Sequence, residues 1–294
     1  FAVDDGCPDK TGEFIENEVD DSRVKVLYNE SNQGVGGAVM TGYREALATG
    51  ADIVVKIDSD GQMDPSLIPV FIEPIESCEA DYTKGNRFYE ISFLKKMPRV
   101  RQFGNAVLSF FSKISSGYWS IMDPTNGYTA IHARLLEKLP LEKISKRFFF
   151  ESDMLFRLYL LRAVIMDIPM TAVYEDEKSN IQIEKIMWEF LYRHLVCFLK
   201  RVFYTYFLRG FNLASLQLLM AILLLPFGTL FGAYHWCLSI TTGEPATTGT
   251  VMIAVLPIVL GFQLLLGAVS FDLSNEPVHV LHMRLKKAKS TLSN

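Results

Sequence analysis

The 294-residue sequence closes on two runs that water holds poorly. Between Arg209 and Glu244 there is no Asp, Glu, Lys or Arg and a single histidine, His235, and between Glu244 and Asp272 there is none of the five. Each run can supply the ~20 apolar residues that a bilayer core demands. Two transmembrane helices are therefore expected, over about 212–238 and 248–271. Pro226 and Pro257 are no obstacle, because neighbouring helices satisfy the carbonyls a proline frees. The plainer alternative is a buried hairpin in a soluble core. Lys200, Arg201 and Arg209 precede the first run, and Arg284, Lys286, Lys287 and Lys289 follow the second, while the connection offers only Glu244. By the positive-inside bias both ends are expected in the cytoplasm.

Charge divides the chain. Residues 1–90 carry 19 acidic and 7 basic side chains, and residues 91–294 carry 14 and 22. An acidic front and a basic back suggest different partners, with a lipid bilayer for the back and no nucleic acid for either. Residues 181–209, "IQIEKIMWEFLYRHLVCFLKRVFYTYFLR", mix aromatics with Lys and Arg at helical spacing. That suits helices at the headgroup level, or equally helices packed on a globular domain. Cys7, Cys78, Cys197 and Cys237 form no C-x-x-C pair, so neither a disulfide framework nor a zinc site is indicated. The opening "FAVDDG" has no initiator Met, and an N-terminal truncation is expected.

The front alternates short β-branched runs with helical ones: "FAV", "VKVLY" at 24–28, a helix near 35–49, "IVVKI" at 53–57, and a Pro-started helix near 66–77. The alternation argues for a parallel sheet covered by helices. Ligands in such sheets sit beyond the carboxyl ends of strands, where Asp4–Asp5 and Asp58–Asp60 both fall. An Asp-x-Asp pair alone is a weak signal, so its placement carries the information. On an extended chain, Asp58, Asp60 and Gln62 would present two carboxylates and an amide oxygen to one point. These are hard donors suited to Mg²⁺ or Mn²⁺ with positions left for phosphate oxygens. The alternative is a strand-end turn that caps the helix begun by Asp64–Pro65.

"NQGVGGAVMTGYREAL", residues 32–47, follows a strand and opens a helix, so its glycines can bring backbone amides near a phosphate. As a dinucleotide fingerprint it lacks the last glycine of G-x-G-x-x-G. His279 and His282 have no acidic neighbour in sequence and read as surface residues. "GTLFG", Gly228 to Gly232, can bring helices together. Packing on the second span is the expected use, with a homo-oligomer as the alternative.

In order, "VDDGCPDKT", "NQGVGGA", "DSDGQMDP", "GNRF", "DPTNGYTA", "FESDM" and "EDEKSNI", followed by two apolar runs, resemble the polyprenyl-phosphate glycosyltransferases of glycosyltransferase family 2. The resemblance covers almost the whole chain, and seven ordered motifs are far more specific than one. It implies a GT-A α/β catalytic domain over 1–180, juxtamembrane amphipathic helices over 181–211, a two-helix hairpin over 212–272 and a basic cytoplasmic tail over 273–294. It implies inverting transfer of a sugar from a nucleotide diphosphate-sugar, a UDP-hexose or GDP-mannose, to an undecaprenyl or dolichyl phosphate, with Mg²⁺ or Mn²⁺. Asp4, Asp5 and Asp58 then resemble nucleotide-binding acids, and Asp58, Asp60 and Gln62 the metal and diphosphate site. Arg87 and Arg101 resemble phosphate-binding residues, and "KKMPRVR" at 95–101 adds further basic charge. Asp123 resembles a catalytic base. A phosphate monoester is already mostly dianionic at pH 7, however, so Asp123 can serve by orienting. Glu151 is a further candidate, although "ESD" also reads as a helix start.

Cys7 departs from the serine more usual after "DDG", and the strand that the family places before "VDDG" is absent. Localisation is expected in a membrane, a bacterial inner one in the absence of a eukaryotic sorting motif. Two other functions fit parts of the pattern. A processive polysaccharide synthase shares the nucleotide half, but Q-x-x-R-W is absent and two spans are few for a polymer channel. A catalytically silent membrane scaffold would not need three converging oxygen donors.

Overall fold

The computed structural model describes residues 1–89, 99–170 and 183–292. The chain forms two compact units, Phe1–Arg201 with Pro277–Asn294, and Val202–Glu276. The juxtamembrane segment up to Arg201 and the C-terminal tail thus belong to the same unit as the α/β part. "EDEKSNI" and the pair Lys95–Lys96 lie outside the described residues, as do the side chains of Arg99 and Arg101.

The first unit runs β1 (Ala2–Asp4), α1 (Thr11–Glu18), β2 (Val26–Tyr28), α2 (Val35–Ala48), β3 (Ile53–Lys56), α3 (Ile68–Glu76), β4 (Tyr82–Asn86) and α4 (Arg99–Ser116). After these come β5 (Thr129–His132), α5 (Ala133–Leu136), α6 (Phe150–Leu161), β6 (Ile165–Pro169) and α7 (Ile183–Phe203). The strand and helix positions follow the alternation in the sequence, and the main sheet is mixed, in keeping with the Rossmann-like mixed sheet of the GT-A expectation and not the all-parallel one that the alternation alone suggested. β1 and β2 form a parallel pair of their own, and a second sheet has the order β3-β5-β4-β6. In the latter β5 runs antiparallel to both neighbours, whereas β4 and β6 are parallel. The reason is topological: β5 enters from a loop at the carboxyl ends of its neighbours, so it can only run back between them. β1 and β3 each keep one edge without a strand partner among the described residues.

Register sorts the second sheet into two faces, because alternate residues of a strand point the same way. On one face Val54, Ile131, Tyr82 and Ile165 align across the four strands. They pack with Met40 and Tyr43 of α2 and Met154, Leu155 and Leu158 of α6. On the other, Ala130 and Met166 meet Phe71 and Ile75 of α3, and Phe71 stacks on Tyr128 at 4.0 Å. Ile131 and Leu158 are fully buried, and truncating either to Ala costs about 3 kcal/mol. One step further along the first face the pattern breaks: Lys56, Thr129, Lys84 and Asp167 align as a polar row across all four strands.

α7 settles the alternative left open for residues 181–209 by having two faces. His194, Cys197 and Arg201 turn into the unit, where His194 Nδ1 lies 2.7 Å from Ser115 Oγ and Arg201 Nη2 donates to Ile114 O. Burial pushes the His194 ring down to about 4. Arg201, counted above among the orienting charges, is an interior residue. Trp188, Tyr192, Leu195 and Leu199 form an exposed apolar face. A last helix, called α10 here (Leu281–Leu292), returns to the unit. Its first two amides, Leu281 N and His282 N, donate to the buried Asp81, which also lies 2.9 Å from His282 Nδ1. His282 is therefore an interior residue stacked on His132, contrary to its reading as surface; its acidic partner is 201 positions away.

The second unit holds α8 (Leu213–Thr242) and α9 (Thr248–Ser274). Both are long and apolar enough to cross a membrane, and only 22% and 17% of their most apolar windows are buried. A core helix of a soluble protein would be mostly buried, so an apolar surface this open fits lipid. Gly228 faces Ala254 and Ile258 of α9, and Gly232 faces Ala254. The "GTLFG" motif is thus used within the hairpin. Asn212 and Ser215 cap the start of α8 reciprocally, and Tyr206 Oη donates to Asp272 Oδ1 at 2.6 Å.

Candidate active site

A groove of about 500 Å³ runs along the facing sides of β1 and β3, lined by apolar residues such as Val3, Val54 and Val55, and at the carboxyl ends of the strands it takes in Asp4, Asp5, Lys56 and Asp58. Two of the sequence-derived site clusters thus share one cavity, as the strand-end rule requires.

The two acids after β1 hold the surrounding loops. Asp4 Oδ1 accepts from Cys7 N at 2.7 Å and Oδ2 from Gly12 N at 2.8 Å, bonds that draw its pKa below the ordinary carboxylate value. Asp5 accepts from Asn29 Nδ2 at 2.7 Å and from the amides of Gln33 and Gly34. The expectation that "NQGVGG" amides meet a phosphate is modified accordingly, since the amides of Gln33 and Gly34 are taken by Asp5. Gly36 has another use: a Cβ there would collide with Ser145 O and Phe150, so the glycine lets α2 pack on the segment before α6. Each Asp4 oxygen accepts one of these bonds and keeps further acceptor capacity, whereas both Asp5 oxygens already accept two.

After β3 the chain does not stay extended. It turns over Ser59 and Asp60, with Gly61 at φ +74°. Asp60 Oδ1 accepts from Gln62 N at 3.0 Å. The alternation argument that brought Asp58, Asp60 and Gln62 to one point therefore lacks its premise, since strand geometry ends at Lys56. The turn reading explains the next residues: Asp64 accepts from Ser66 N and Pro65 opens the 3₁₀ turn. Among the described residues no three His, Cys, Asp or Glu side chains are grouped to hold a metal. The donor set is two carboxylates and a nearby amide. It does not form a protein cage, but it fits Mg²⁺ or Mn²⁺ completed by substrate oxygens and water.

The polar row lies beneath these acids. Lys56 Nζ is 2.7 Å from Asp58 Oδ1 and 3.9 Å from Glu151 Oε1. Gly127 closes over the pair, and any Cβ there would strike Asp58 Oδ2 and Lys56 Nζ. Burial raises the Glu151 pKa, with Lys56 and then Lys84 acting against it. Lys84, bonded to Asn126 O, is drawn down to about 8 by burial. Burial pushes Asp167 up to about 6; its Oδ2 accepts from Met122 N and Asn86 Nδ2, while its Oδ1 is buried without a partner.

Asp123 is fully buried. Arg87 grips it bidentately, Nε to Oδ2 at 2.7 Å and Nη2 to Oδ1 at 3.0 Å, and Asn126 Nδ2 adds a longer contact. With both oxygens engaged, the geometry favours an orienting role for Asp123 over proton abstraction. Glu151 opens α6 as expected, and Asp153 uses its carboxylate on Ser145 N. Sequence reading missed Lys56, Lys84 and Asp167. A signal existed for Lys56, because lysine in an apolar strand is rarely buried without a partner.

Residues 1–140 match the family model described as "Glycosyl transferase family 2". An undecaprenyl-phosphate mannosyltransferase of Micrococcus luteus is 33% identical over 178 residues, 60% of this chain and 72% of that protein. A UDP-N-acetylglucosamine–dolichyl-phosphate N-acetylglucosaminyltransferase of Methanococcus voltae is 32% identical over 154 residues, 52% of this chain and 61% of that protein. Glucosyl-3-phosphoglycerate synthase from Mycobacterium tuberculosis, solved with UDP, aligns over 68% of this chain and 67% of its own, with a TM-score of 0.48 and 19% identity.

Proposed function

The chain belongs to glycosyl transferase family 2, and from that premise we propose that it moves one sugar from a nucleotide diphosphate-sugar, a UDP-hexose or GDP-mannose, to a polyprenyl phosphate at the cytoplasmic face of a membrane. Transfer inverts the anomeric carbon and depends on Mg²⁺ or Mn²⁺. The observation that carries the reading is the groove that gathers Asp4, Asp5, Lys56 and Asp58 beyond two strand ends, in a chain with two helices apolar enough to span a bilayer. The relatives' names supply the acceptor class.

Asp4 binds the nucleoside with the acceptor capacity its loop bonds leave, and Asp5 serves nucleotide binding by fixing the Gln33–Gly34 loop beside it. Asp58 and Asp60, with Gln62, would hold the cation, which would offset charge on the departing diphosphate. Arg87, fixed by Asp123, offers a pre-oriented guanidinium to the acceptor phosphate, and Arg101 supplies further positive charge. One oxygen of the lipid phosphate forms the new bond to the anomeric carbon as the bond to the diphosphate oxygen breaks on the opposite face. At neutral pH that phosphate is largely dianionic, so no strong base is needed. The exposed Trp188 and Tyr192 of α7 suit the headgroup layer, where a polyprenyl phosphate presents its charge.

The test is a panel of labelled nucleotide sugars offered to the purified full-length protein with C55 or dolichyl phosphate. A single sugar on extractable lipid is expected, lost with EDTA and in Asp60→Asn. A polymeric product, or unaltered turnover in Asp60→Asn, refutes the assignment.

A further inference from the structure

The buried cations of the polar row have no part in the transfer as described, and Lys56 stands closest to it. It closes β3 with its side chain almost wholly covered, yet its ammonium sits on Asp58 at 2.7 Å. The contact is one of charge without a well-aligned hydrogen bond. Glu151 approaches the same ammonium from α6 at 3.9 Å. Two carboxylates from different elements thus share one lysine, and the backbone at Gly127 closes over the arrangement. Lys84, the next cation in the row, is tied to Asn126 O and lies one strand further away across β5.

We infer that Lys56 is a positioning residue that acts as a resident counter-ion, competing with the divalent cation for Asp58 and so setting how tightly that cation is held before the donor arrives. The inference rests on the metal reading above. A divalent ion approaching Asp58 meets an ammonium already on that carboxylate, and like charges at this distance repel, the more so because the ammonium itself is largely covered from water. The ion is favoured once the donor's diphosphate brings added negative charge and a second partner for the displaced ammonium, with Glu151 in reach as well. Lys56 thereby couples metal retention to donor binding. A bare cation is held weakly, and the cation with diphosphate is held well.

Free Mn²⁺ is counted by electron paramagnetic resonance during titration of the full-length protein, first without nucleotide and then with UDP or GDP. In Lys56→Met, which keeps the length of the side chain and removes its charge, Mn²⁺ alone should bind on the order of tenfold more tightly than in wild type, within the range over which groups around a metal ligand act. The gain on adding nucleotide should shrink. Lys56→Arg should restore weak binding of the bare ion, which a merely structural loss would not explain. If Lys56→Met binds Mn²⁺ no more tightly, while nucleotide affinity falls, Lys56 is a diphosphate ligand and the inference fails with the metal reading intact. If Asp58→Asn leaves Mn²⁺ binding unchanged in both wild-type and Lys56→Met backgrounds, Asp58 is no metal ligand, and both readings fall.

Discussion

The acids that follow β1 and those that follow β3 open on one groove, but they are held in opposite ways. Asp4 and Asp5 spend their oxygens on four backbone amides and an asparagine. Asp58 faces a lysine, and Asp60 gives one oxygen to a neighbouring amide in an exposed turn. Asp123 belongs with the first group, buried and gripped by Arg87. The difference teaches that an acid at a strand end is not by that fact a ligand. Acids engaged by backbone amides or by a buried arginine hold the protein's loops in shape, whatever acceptor capacity they keep for a ligand, and those left with charge to offset are the ones a cation can use.

That division can be broken by mutation. Asp123→Ala leaves Arg87 without its buried partner, and a loss of about 3 kcal/mol is expected, read as a lower thermal midpoint in detergent. Asp60→Asn keeps the acceptor for Gln62 and should leave the midpoint unchanged while transfer is lost. Equal stability losses in the two variants would erase the distinction. Asp5→Ala frees the amides that open α2, and about 2 kcal/mol is expected.

The next effect sharpens the boundary between the groups. Burial lifts the Asp167 carboxyl to about 6, above its unfolded value. The folded protein therefore binds that proton more tightly than the unfolded chain does. The Asp167 contribution to stability should fall as pH rises from about 4 to 6, on the order of 2 kcal/mol in all; His194, with its lowered pKa, contributes with the opposite sign over the same range, so the effect is read as the difference between wild type and variant. Asp167→Asn should remove that slope from the unfolding profile, and an unchanged slope would mean that the carboxyl titrates normally. The smallest change is expected from Gly61→Ala, which meets no neighbour but must adopt a positive φ. About 1 kcal/mol is expected, with the greater effect on transfer if the turn aims Asp60.

Local features were legible in the sequence. "IVVK" running into acids located a strand end, Asp64–Pro65 a helix start, and the uncharged runs two helices long and apolar enough to span a membrane. What escaped depends on distant pairing. Lys56, Lys84 and Asp167 form a row only because β5 slots antiparallel between β3 and β4, a crossover that no local pattern marks. Asp81 and His282 are 201 positions apart in the hydrogen bond that docks α10. The bend after Lys56 also escaped, because Asp-x-Asp-Gly is compatible with both an extended chain and a turn. Only the amide of Gln62 on Asp60 decides between them.

The buried Asp81 accepts from the first two amides of α10 and lies 2.9 Å from His282 Nδ1. A negative charge at a helix start is favoured by the helix dipole, so one carboxylate latches the C-terminal segment onto the α/β unit. A chain cut before Pro277 would leave that carboxylate buried without two of the amides that now offset its charge. The tail is therefore a structural member of the unit, and its removal is expected to weaken the fold far from the cut.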